Sequence, residues 1–157
     1  MKEIDILTKI TARGYDELTP EERELTDAAW NATKGAYAPY SNFSVGAAIR
    51  LDNGVIVTGA NQENAAFSSG TCAERSACFY AGANYPQAKF TAIAIAAVGT
   101  DKKRVPSPVA PCGACRQALL EYETLAGHNV PVMLLGENEV YTLPSVKSLM
   151  PLAFTEF

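Results

Sequence analysis

Two short cysteine motifs, separated by about forty residues, constrain the fold of this chain more than any other feature. The first is Cys72-Ala73-Glu74 and the second is Pro111-Cys112-Gly113-Ala114-Cys115. A fold that uses both must bring the two segments together around one point. They offer three sulfurs and one carboxylate, and three protein ligands leave one position of a zinc ion open, as in catalytic zinc sites. Glu74 is then a candidate proton carrier.

Two other interpretations use the same cysteines. A CxxC pair can be a redox dithiol, and a closed structural zinc site would need Cys78 as a fourth sulfur ligand. On a regular helix Cys78 lies six residues beyond Cys72 and is rotated from it by roughly 240°. Its side chain would therefore point away from an ion at Cys72. We expect Cys78 to be a free, buried thiol.

The spacing of Cys72 and Glu74 predicts that Cys72 stands at the start of a helix. Side chains two residues apart on a helix point to nearly opposite sides, so both can face one ion only if Cys72 precedes the first turn. Free amides and the positive dipole end at that position favour a thiolate. The second motif, after Pro111, looks like another helix entry. Two helix N-termini are therefore predicted to converge on one cation.

Charge balance points to an arginine that would act on the sulfur ligands without itself binding the ion. Three thiolates around a divalent ion leave a net negative charge, which weakens the ion as a Lewis acid. Arg75, three residues beyond Cys72, is close enough to donate a hydrogen bond to a thiolate sulfur and to offset that charge. Arg116 directly follows Cys115, and for it an ordinary surface arginine is an equally good interpretation.

At these residues the chain resembles the cytidine deaminase family, and within it the small homotetrameric type with a three-cysteine zinc site. The resemblance extends from about Thr19 to Phe154. The segments that carry it are 40–48, 61–65, 72–75, 111–117 and 149–154.

The resemblance implies one Zn²⁺ per chain, with Cys72, Cys112 and Cys115 as its ligands and Glu74 as the catalytic proton carrier. The general zinc and glutamate roles in such deaminases are known. Glutamate suits this task because it can accept and return a proton within one turnover.

The resemblance also implies substrate contacts at Phe43, Asn61, Glu63 and Ala73, with Asn61 and Glu63 on the ribose 3′-hydroxyl. These two residues follow an apolar run and lie two apart, so in an extended segment they project from one face. A capped turn is the alternative, since asparagine is a common turn residue. The family further implies that Phe154 reaches the pocket of a neighbouring subunit in a homotetramer.

The implied reaction is zinc-dependent hydrolytic deamination of cytidine and deoxycytidine to uridine and deoxyuridine plus ammonia, a step of pyrimidine salvage. One alternative is a deaminase of another aminopyrimidine nucleoside, such as a nucleoside antibiotic. A second alternative, from a different class, is a non-catalytic zinc-stabilised binding module.

Composition limits the class of protein and partner. The 157 residues, 48% hydrophobic and 19% charged, predict a single domain over 1–157 in which about 1–18 form an N-terminal extension. A net charge of −4 disfavours nucleic acid, which binds through an excess of lysine and arginine. No segment has the apolar character of a signal peptide or a membrane span. We therefore expect a cytoplasmic protein with a small nucleoside substrate and no membrane partner.

The pattern of elements predicts a three-layer α/β/α fold with a mixed, mostly five-stranded sheet. A capping box at Thr19, with Pro20 as first helical residue, begins a helix that ends at Gly35. Strands are predicted over 45–51, 55–60, 91–98, 130–135 and 140–143, and metal-bearing helices over 73–83 and 113–125. An Asn-Gly pair predicts an antiparallel first hairpin, and the βαβ alternation that follows predicts parallel strands.

Three further residues receive an interpretation. His128 follows Gly127 in a predicted surface turn and is given no catalytic role. Tyr85 and Phe90, in a connection over 84–90 that is longer than usual in the family, could form a subunit contact, but we expect them to lie in the core.

Overall fold

The computed structural model of the chain describes residues 1–155. Its strands are β1 (Thr11–Arg13), β2 (Ser44–Leu51), β3 (Ile56–Ala60), β4 (Phe90–Val98), β5 (Val132–Leu135) and β6 (Val140–Leu143). Its α-helices are α1 (Pro20–Ala32), α2 (Ala73–Asn84) and α3 (Gly113–Ala126). A short 3₁₀ helix, Val146–Leu149, follows β6.

The six strands form one mixed sheet in the order β1-β6-β5-β4-β2-β3. Strands β2 and β3 make the predicted antiparallel hairpin, and β4 is antiparallel to β2. Strands β4 and β5, which α3 connects, run parallel as the βαβ pattern predicts. Strand β6 instead returns antiparallel to β5 through a short turn, so the expected parallel arrangement is limited to one pair of neighbouring strands in the described part of the chain.

Helices cover both faces of the sheet, which confirms the predicted three-layer class. On one face α1 buries Leu25 and Ala29 in a cluster with Ala48 and Met133 of the sheet. On the other face α2 and α3 share a larger apolar cluster with the sheet, in which Leu119 is fully buried. The metal-bearing helices therefore lie side by side on the same face, and their N-termini can meet.

The sheet has six strands rather than the expected five because part of the N-terminal segment joins it. Strand β1 pairs antiparallel with β6, with Arg13 opposite Val140. The Arg13 guanidinium makes a 2.7 Å ion pair with Glu22 in the first turn of α1. Glu22 also completes the predicted capping box, since it accepts the Thr19 N–H at 2.9 Å while the Thr19 hydroxyl accepts the Glu22 N–H.

Helix ends and core aromatics agree closely with the sequence. The α-helical part of the first helix ends at Ala32, and a 3₁₀ turn then extends to Gly35, the predicted end. Helix α3 ends at Gly127, whose φ of 73° lies in the left-handed region that glycine adopts without strain. Phe90 is buried and stacks on Tyr122 with ring centroids 4.6 Å apart, as expected for a core residue. None of the helices in residues 1–155 has the length and apolarity to cross a bilayer.

Candidate metal centre and active site

The sulfurs of Cys72, Cys112 and Cys115 come together at the N-termini of α2 and α3. The three Sγ atoms all lie within 4.8 Å of one another, and those of Cys112 and Cys115 are 3.5 Å apart. A tetrahedral zinc ion with Zn–S bonds of about 2.3 Å holds its sulfurs about 3.7 Å apart. The donor set therefore fits a zinc ion with three thiolates and one remaining position.

Both motifs begin a helix in the way that the spacing predicts. Cys72 is the N-cap of α2, with extended backbone angles (φ −77°, ψ 157°), and Cys112 is the N-cap of α3 (φ −66°, ψ 166°). Cys72 therefore precedes the first turn, and its side chain is free of the helical period that would separate it from Glu74. The predicted position of Cys72 at a helix start is confirmed.

The helix N-terminus also acts on the ionisation of Cys112. Burial raises the pKa of this thiol, but hydrogen bonds from the Cys115 and Ala114 backbone N–H groups and from the Cys115 and Cys72 thiols outweigh it, so the pKa lies below its ordinary value. Burial raises the pKa of Cys115, and the neighbouring Glu74 carboxylate acts in the same direction. A cation bound by the three sulfurs would offset the negative charge of the thiolates and of the Glu74 carboxylate.

Cys78 stands apart from the three sulfurs. It is fully buried, its Sγ lies 3.9 Å from the Ala118 carbonyl oxygen, and burial raises the pKa of its thiol to about 12. The expected free, buried thiol is confirmed. Since Cys78 does not join the cluster, a closed four-sulfur site is not formed by these residues.

Glu74 is almost completely buried, with 5% of its surface exposed, in the first turn of α2. Burial raises the pKa of its carboxyl, while its own backbone N–H, Cys115 and Arg75 act in the opposite direction. Glu74 lines the same cavity as Cys72 and Cys112. A buried carboxyl beside a metal position, which holds its proton more firmly than an exposed one, is suited to take up and return protons.

The two arginines beside the motifs have different partners. Arg75 Nη2 lies 4.0 Å from Cys72 Sγ, and this contact is the main reason why the pKa of Arg75 is raised. Arg116 makes no such contact, since its Nε donates to Pro111 O and its Nη1 to Leu149 O, each at 2.8 Å. Sequence reasoning left its role open because one of the two carbonyl partners, that of Leu149, is 33 residues away along the chain.

Asn61 and Glu63 both line the cavity, and both form hydrogen bonds with the backbone of residues 40–45. The Asn61 side chain accepts the Val45 N–H at 2.7 Å and donates to Phe43 O at 2.9 Å. Glu63 Oε2 accepts the N–H groups of Tyr40 and Ser41 at 2.8 and 3.2 Å. The Ser41 side chain is the main cause that lowers the pKa of Glu63. Each side chain thus fixes the 40–45 loop and retains hydrogen-bonding capacity toward the cavity.

The cavity has a volume of about 480 Å³, within the range of small-ligand pockets. Phe43 forms part of its wall, whereas Ala73, the first residue of α2, is fully buried and does not line it. A neighbouring cavity of about 510 Å³ shares Glu63 and Cys72 and is bordered by the exposed Phe67. The wall also includes Val109 and Ala110, which sequence reasoning missed although their position just before Cys112 was a usable signal.

Two remaining candidates do not line the cavity. His128 is exposed and its Nδ1 is 3.0 Å from the carbonyl oxygen of the adjacent Asn129, so no catalytic role is indicated. The Phe154 ring is largely exposed, and its carbonyl oxygen accepts a hydrogen bond from Gln117.

The fold and the site together define a protein with a catalytic type of zinc site: two helix N-termini bring three sulfurs together beside a cavity that Glu74 lines, in a three-layer α/β/α protein. Residues 19–127 match the family described as the cytidine and deoxycytidylate deaminase zinc-binding region. The chain belongs to this family, and zinc is its cofactor.

Individual relatives support the same assignment. The chain is 39% identical over 135 residues to a cytidine deaminase of Halalkalibacterium halodurans, which covers 86% of this chain and 95% of that protein. It is 38% identical over 125 residues to a cytidine deaminase of Sporosarcina psychrophila, covering 80% and 85%. The crystal structure of a Burkholderia pseudomallei cytidine deaminase superposes with a TM-score of 0.71 at 38% identity and covers 87% of this chain and 100% of that one.

Proposed function

We propose that this chain is a cytidine deaminase, which hydrolyses cytidine and deoxycytidine to uridine and deoxyuridine with release of ammonia. The observation that carries the proposal is the buried Glu74 carboxyl in one cavity with Cys72 and Cys112. The relatives named as cytidine deaminases support the same substrate class.

Zinc, when bound by Cys72, Cys112 and Cys115, would supply an activated water, because a catalytic zinc lowers the pKa of bound water to about 7. Glu74 would accept one proton of the attacking water and pass it to the pyrimidine ring nitrogen, and would then carry the second water proton to the leaving amine. Its burial supports this role, since a desolvated carboxyl holds a proton more readily at neutral pH. Arg75 would moderate the charge of the thiolates from its position beside Cys72.

The nucleoside would be held by residues that line the cavity. Asn61 and Glu63 would bind the ribose 3′-hydroxyl with the hydrogen-bonding capacity that the 40–45 loop leaves unused, and Phe43 would pack against the nucleoside. The backbone at Ala73 would offer one of the N–H groups that the first turn of a helix leaves without an intrahelical partner.

Replacing the proton carrier tests the reaction. We expect Glu74→Gln to keep one zinc per chain and to lose turnover by at least about 100-fold, since general acid–base catalysis is typically worth 100- to 10,000-fold. Ammonia release from cytidine and deoxycytidine measures turnover, and metal analysis measures zinc. The matched control is Glu121→Gln, at an exposed position of α3, which should behave as wild type.

The same variant separates the alternatives. Full deaminase activity in Glu74→Gln would overturn the proposed mechanism. A zinc-stabilised binding module predicts no turnover in the wild type and no functional change in the variant. A preference for another aminopyrimidine nucleoside would appear as a higher kcat/KM for that compound than for cytidine, with the same dependence on Glu74.

We further propose a homotetramer in which Phe154 reaches a neighbouring subunit. Large apolar side chains of α2 and α3 that are exposed, namely Phe79, Tyr80 and Leu125, support self-association, because exposed apolar surface often marks a contact with another chain. Light scattering should give the mass of four chains.

A single domain over 1–157, with about 1–18 as an N-terminal extension, is proposed as well. Four free cysteines support a reducing location, the cytoplasm.

A further inference from the structure

Arg116 connects the second cysteine motif to the C-terminal part of the chain. Its Nε donates to the carbonyl oxygen of Pro111, the residue immediately before Cys112, and its Nη1 donates to the carbonyl oxygen of Leu149. Both distances are 2.8 Å. Leu149 is the last residue of the 3₁₀ helix Val146–Leu149. One guanidinium therefore fixes the backbone beside a sulfur ligand against the end of that short helix.

The start of the same 3₁₀ helix is held by Glu123. This buried carboxylate accepts hydrogen bonds from the Val146 and Lys147 N–H groups at 2.7 and 3.1 Å and from the Ser145 hydroxyl at 2.7 Å. A fourth bond comes from the Val130 N–H at 2.8 Å. A buried carboxylate needs such partners to offset its lost hydration. The 3₁₀ helix is consequently anchored and can serve as a fixed support.

Both anchoring residues belong to α3. Arg116 and Glu123 are seven residues, or about two turns, apart, so they project from the same side of the helix. Glu123 accepts a hydrogen bond from the first residue of the 3₁₀ helix, and Arg116 donates one to its last residue. Helix α3 and the 3₁₀ helix thus form one rigid unit that also includes the Pro111 carbonyl.

Cys112 is the ligand position for which this support matters most. It is exposed, whereas Cys115 is buried and Cys72 is partly buried. Of the three ligand positions, Cys112 is thus the most open to a chelator in solution, and detachment of its sulfur would be the first step of zinc release. Arg116, bonded to the carbonyl oxygen immediately before Cys112, would limit this step by restricting that backbone.

We propose that Arg116 is a positioning residue for Cys112, and that it acts through the 3₁₀ helix that Glu123 holds in place. This inference rests on the proposed role of Cys112 as a zinc ligand. It assigns to Arg116 a backbone-holding role that differs from the sulfur contact of Arg75.

The test is the rate at which zinc leaves the zinc-loaded protein in the presence of an excess of a chromophoric chelator. For Arg116→Gln we expect release to be roughly tenfold faster or more, because loss of groups that orient metal ligands typically costs 10- to 100-fold. Cobalt-substituted protein should show altered thiolate-to-cobalt absorption bands. The matched control is Arg50→Gln, which also removes an arginine bond to a carbonyl, that of Glu21 at 2.8 Å, but far from the cysteine motifs.

Two further variants test the route of the effect. Arg116→Lys can reach only one of the two carbonyls and should give an intermediate rate. Glu123→Gln has one acceptor oxygen in place of two, so it should release the 3₁₀ helix in part and speed zinc loss. The double variant Arg116→Gln/Glu123→Gln should release zinc no faster than Arg116→Gln alone. The reason is that Glu123 holds the 3₁₀ helix, and this helix influences Cys112 only through its bond to Arg116.

Several results would overturn the inference. One is wild-type zinc release and an unchanged cobalt spectrum in folded Arg116→Gln, or in Arg116→Lys if the glutamine variant does not fold. Another is an equal acceleration in Arg50→Gln, which would indicate general loosening. Wild-type protein without stoichiometric zinc would remove the premise about Cys112. Zinc-loaded wild type that fails to deaminate cytidine would contradict only the proposed reaction, because the zinc measurement uses no substrate.

Discussion

Gly59 of β3 lies so close to Ala77 of α2 that a Cβ atom on the glycine would stand 2.4 Å from the Ala77 backbone nitrogen. The same atom would lie 2.7 Å from the Ala73 carbonyl oxygen. Backbone atoms cannot move aside as a flexible side chain can. The absence of a side chain at Gly59 therefore sets how closely α2, and with it Cys72, approaches the sheet.

Gly59→Ala should push α2 outward. We expect it to lower the free energy of unfolding by about 1–3 kcal/mol, as overpacking typically does, and to weaken zinc binding because the Cys72 sulfur moves away from the other two. Urea denaturation and metal analysis measure the two effects. Gly35→Ala, whose added Cβ would make an ordinary 3.7 Å contact, is the control, and equal zinc loss in both variants would argue against the geometric explanation.

The ligand set can be tested one sulfur at a time. We expect Cys72→Ala, Cys112→Ala and Cys115→Ala each to lose stoichiometric zinc, because two sulfurs hold the ion far more weakly than three. Cys78→Ala should keep one zinc per chain, since its buried thiol faces the Ala118 carbonyl and not the cluster. Metal analysis after gel filtration reads the outcome. Zinc loss in the Cys78 variant would contradict the three-sulfur set.

Glu63→Gln separates the two roles of this side chain. Glutamine retains one oxygen that can accept the Tyr40 and Ser41 N–H groups, which both use Oε2 in the wild type, so the loop should stay in place. If Glu63 also binds the ribose, kcat/KM for cytidine should fall about 10- to 100-fold, the equivalent of about 1.5–3 kcal/mol for a charged hydrogen bond. With 3′-deoxycytidine the variant and the wild type should differ little. An equal loss with both nucleosides would indicate loop bracing alone.

The Arg13–Glu22 pair makes the stability of the chain depend on pH. The hydrogen bond from Arg13 is the main cause that lowers the pKa of Glu22 below its ordinary 4.5, against the effect of burial. A carboxyl with a lower pKa in the folded state stabilises the fold above its unfolded pKa, and this contribution is lost as the pH falls through the folded pKa.

Arg13→Gln should therefore reduce the free energy of unfolding at pH 7 by up to about 1 kcal/mol, a modest value because both side chains are about one quarter exposed. The difference from wild type should stay constant above pH 4.5 and shrink below it. Urea denaturation between pH 7 and pH 3 measures it. A difference that persists unchanged at pH 3 would assign the effect to packing of Arg13 rather than to its charge.

The parts of the fold that local chemistry determines were predictable from the sequence. The capping box at Thr19 and the position of Cys72 at a helix start follow from side-chain geometry within four residues. The β2–β3 hairpin follows from its Asn-Gly pair. Helix α3 ends where Gly127 permits a left-handed turn.

Features that depend on distant partners were not predictable in the same way. Strand β1 has three residues, mostly exposed, so no apolar alternation distinguishes it from a loop, and its partner β6 lies far along the chain. Of the two carbonyl partners of Arg116, Pro111 lies outside regular secondary structure and Leu149 ends a short 3₁₀ helix 33 residues away, so no periodic pattern predicts that they meet. The loop-bracing bonds of Asn61 and Glu63 likewise depend on how the 40–45 segment turns.

The pairing of β1 with β6 also has a consequence for biosynthesis. Arg13 donates to the Thr142 hydroxyl across a separation of 129 residues, so β1 cannot pair until β6 has been synthesised. Loop closure over such a distance is slow compared with local folding. Until it occurs, a nascent chain presents the unpaired edge of β6 or of β1, the kind of edge that can pair with another chain.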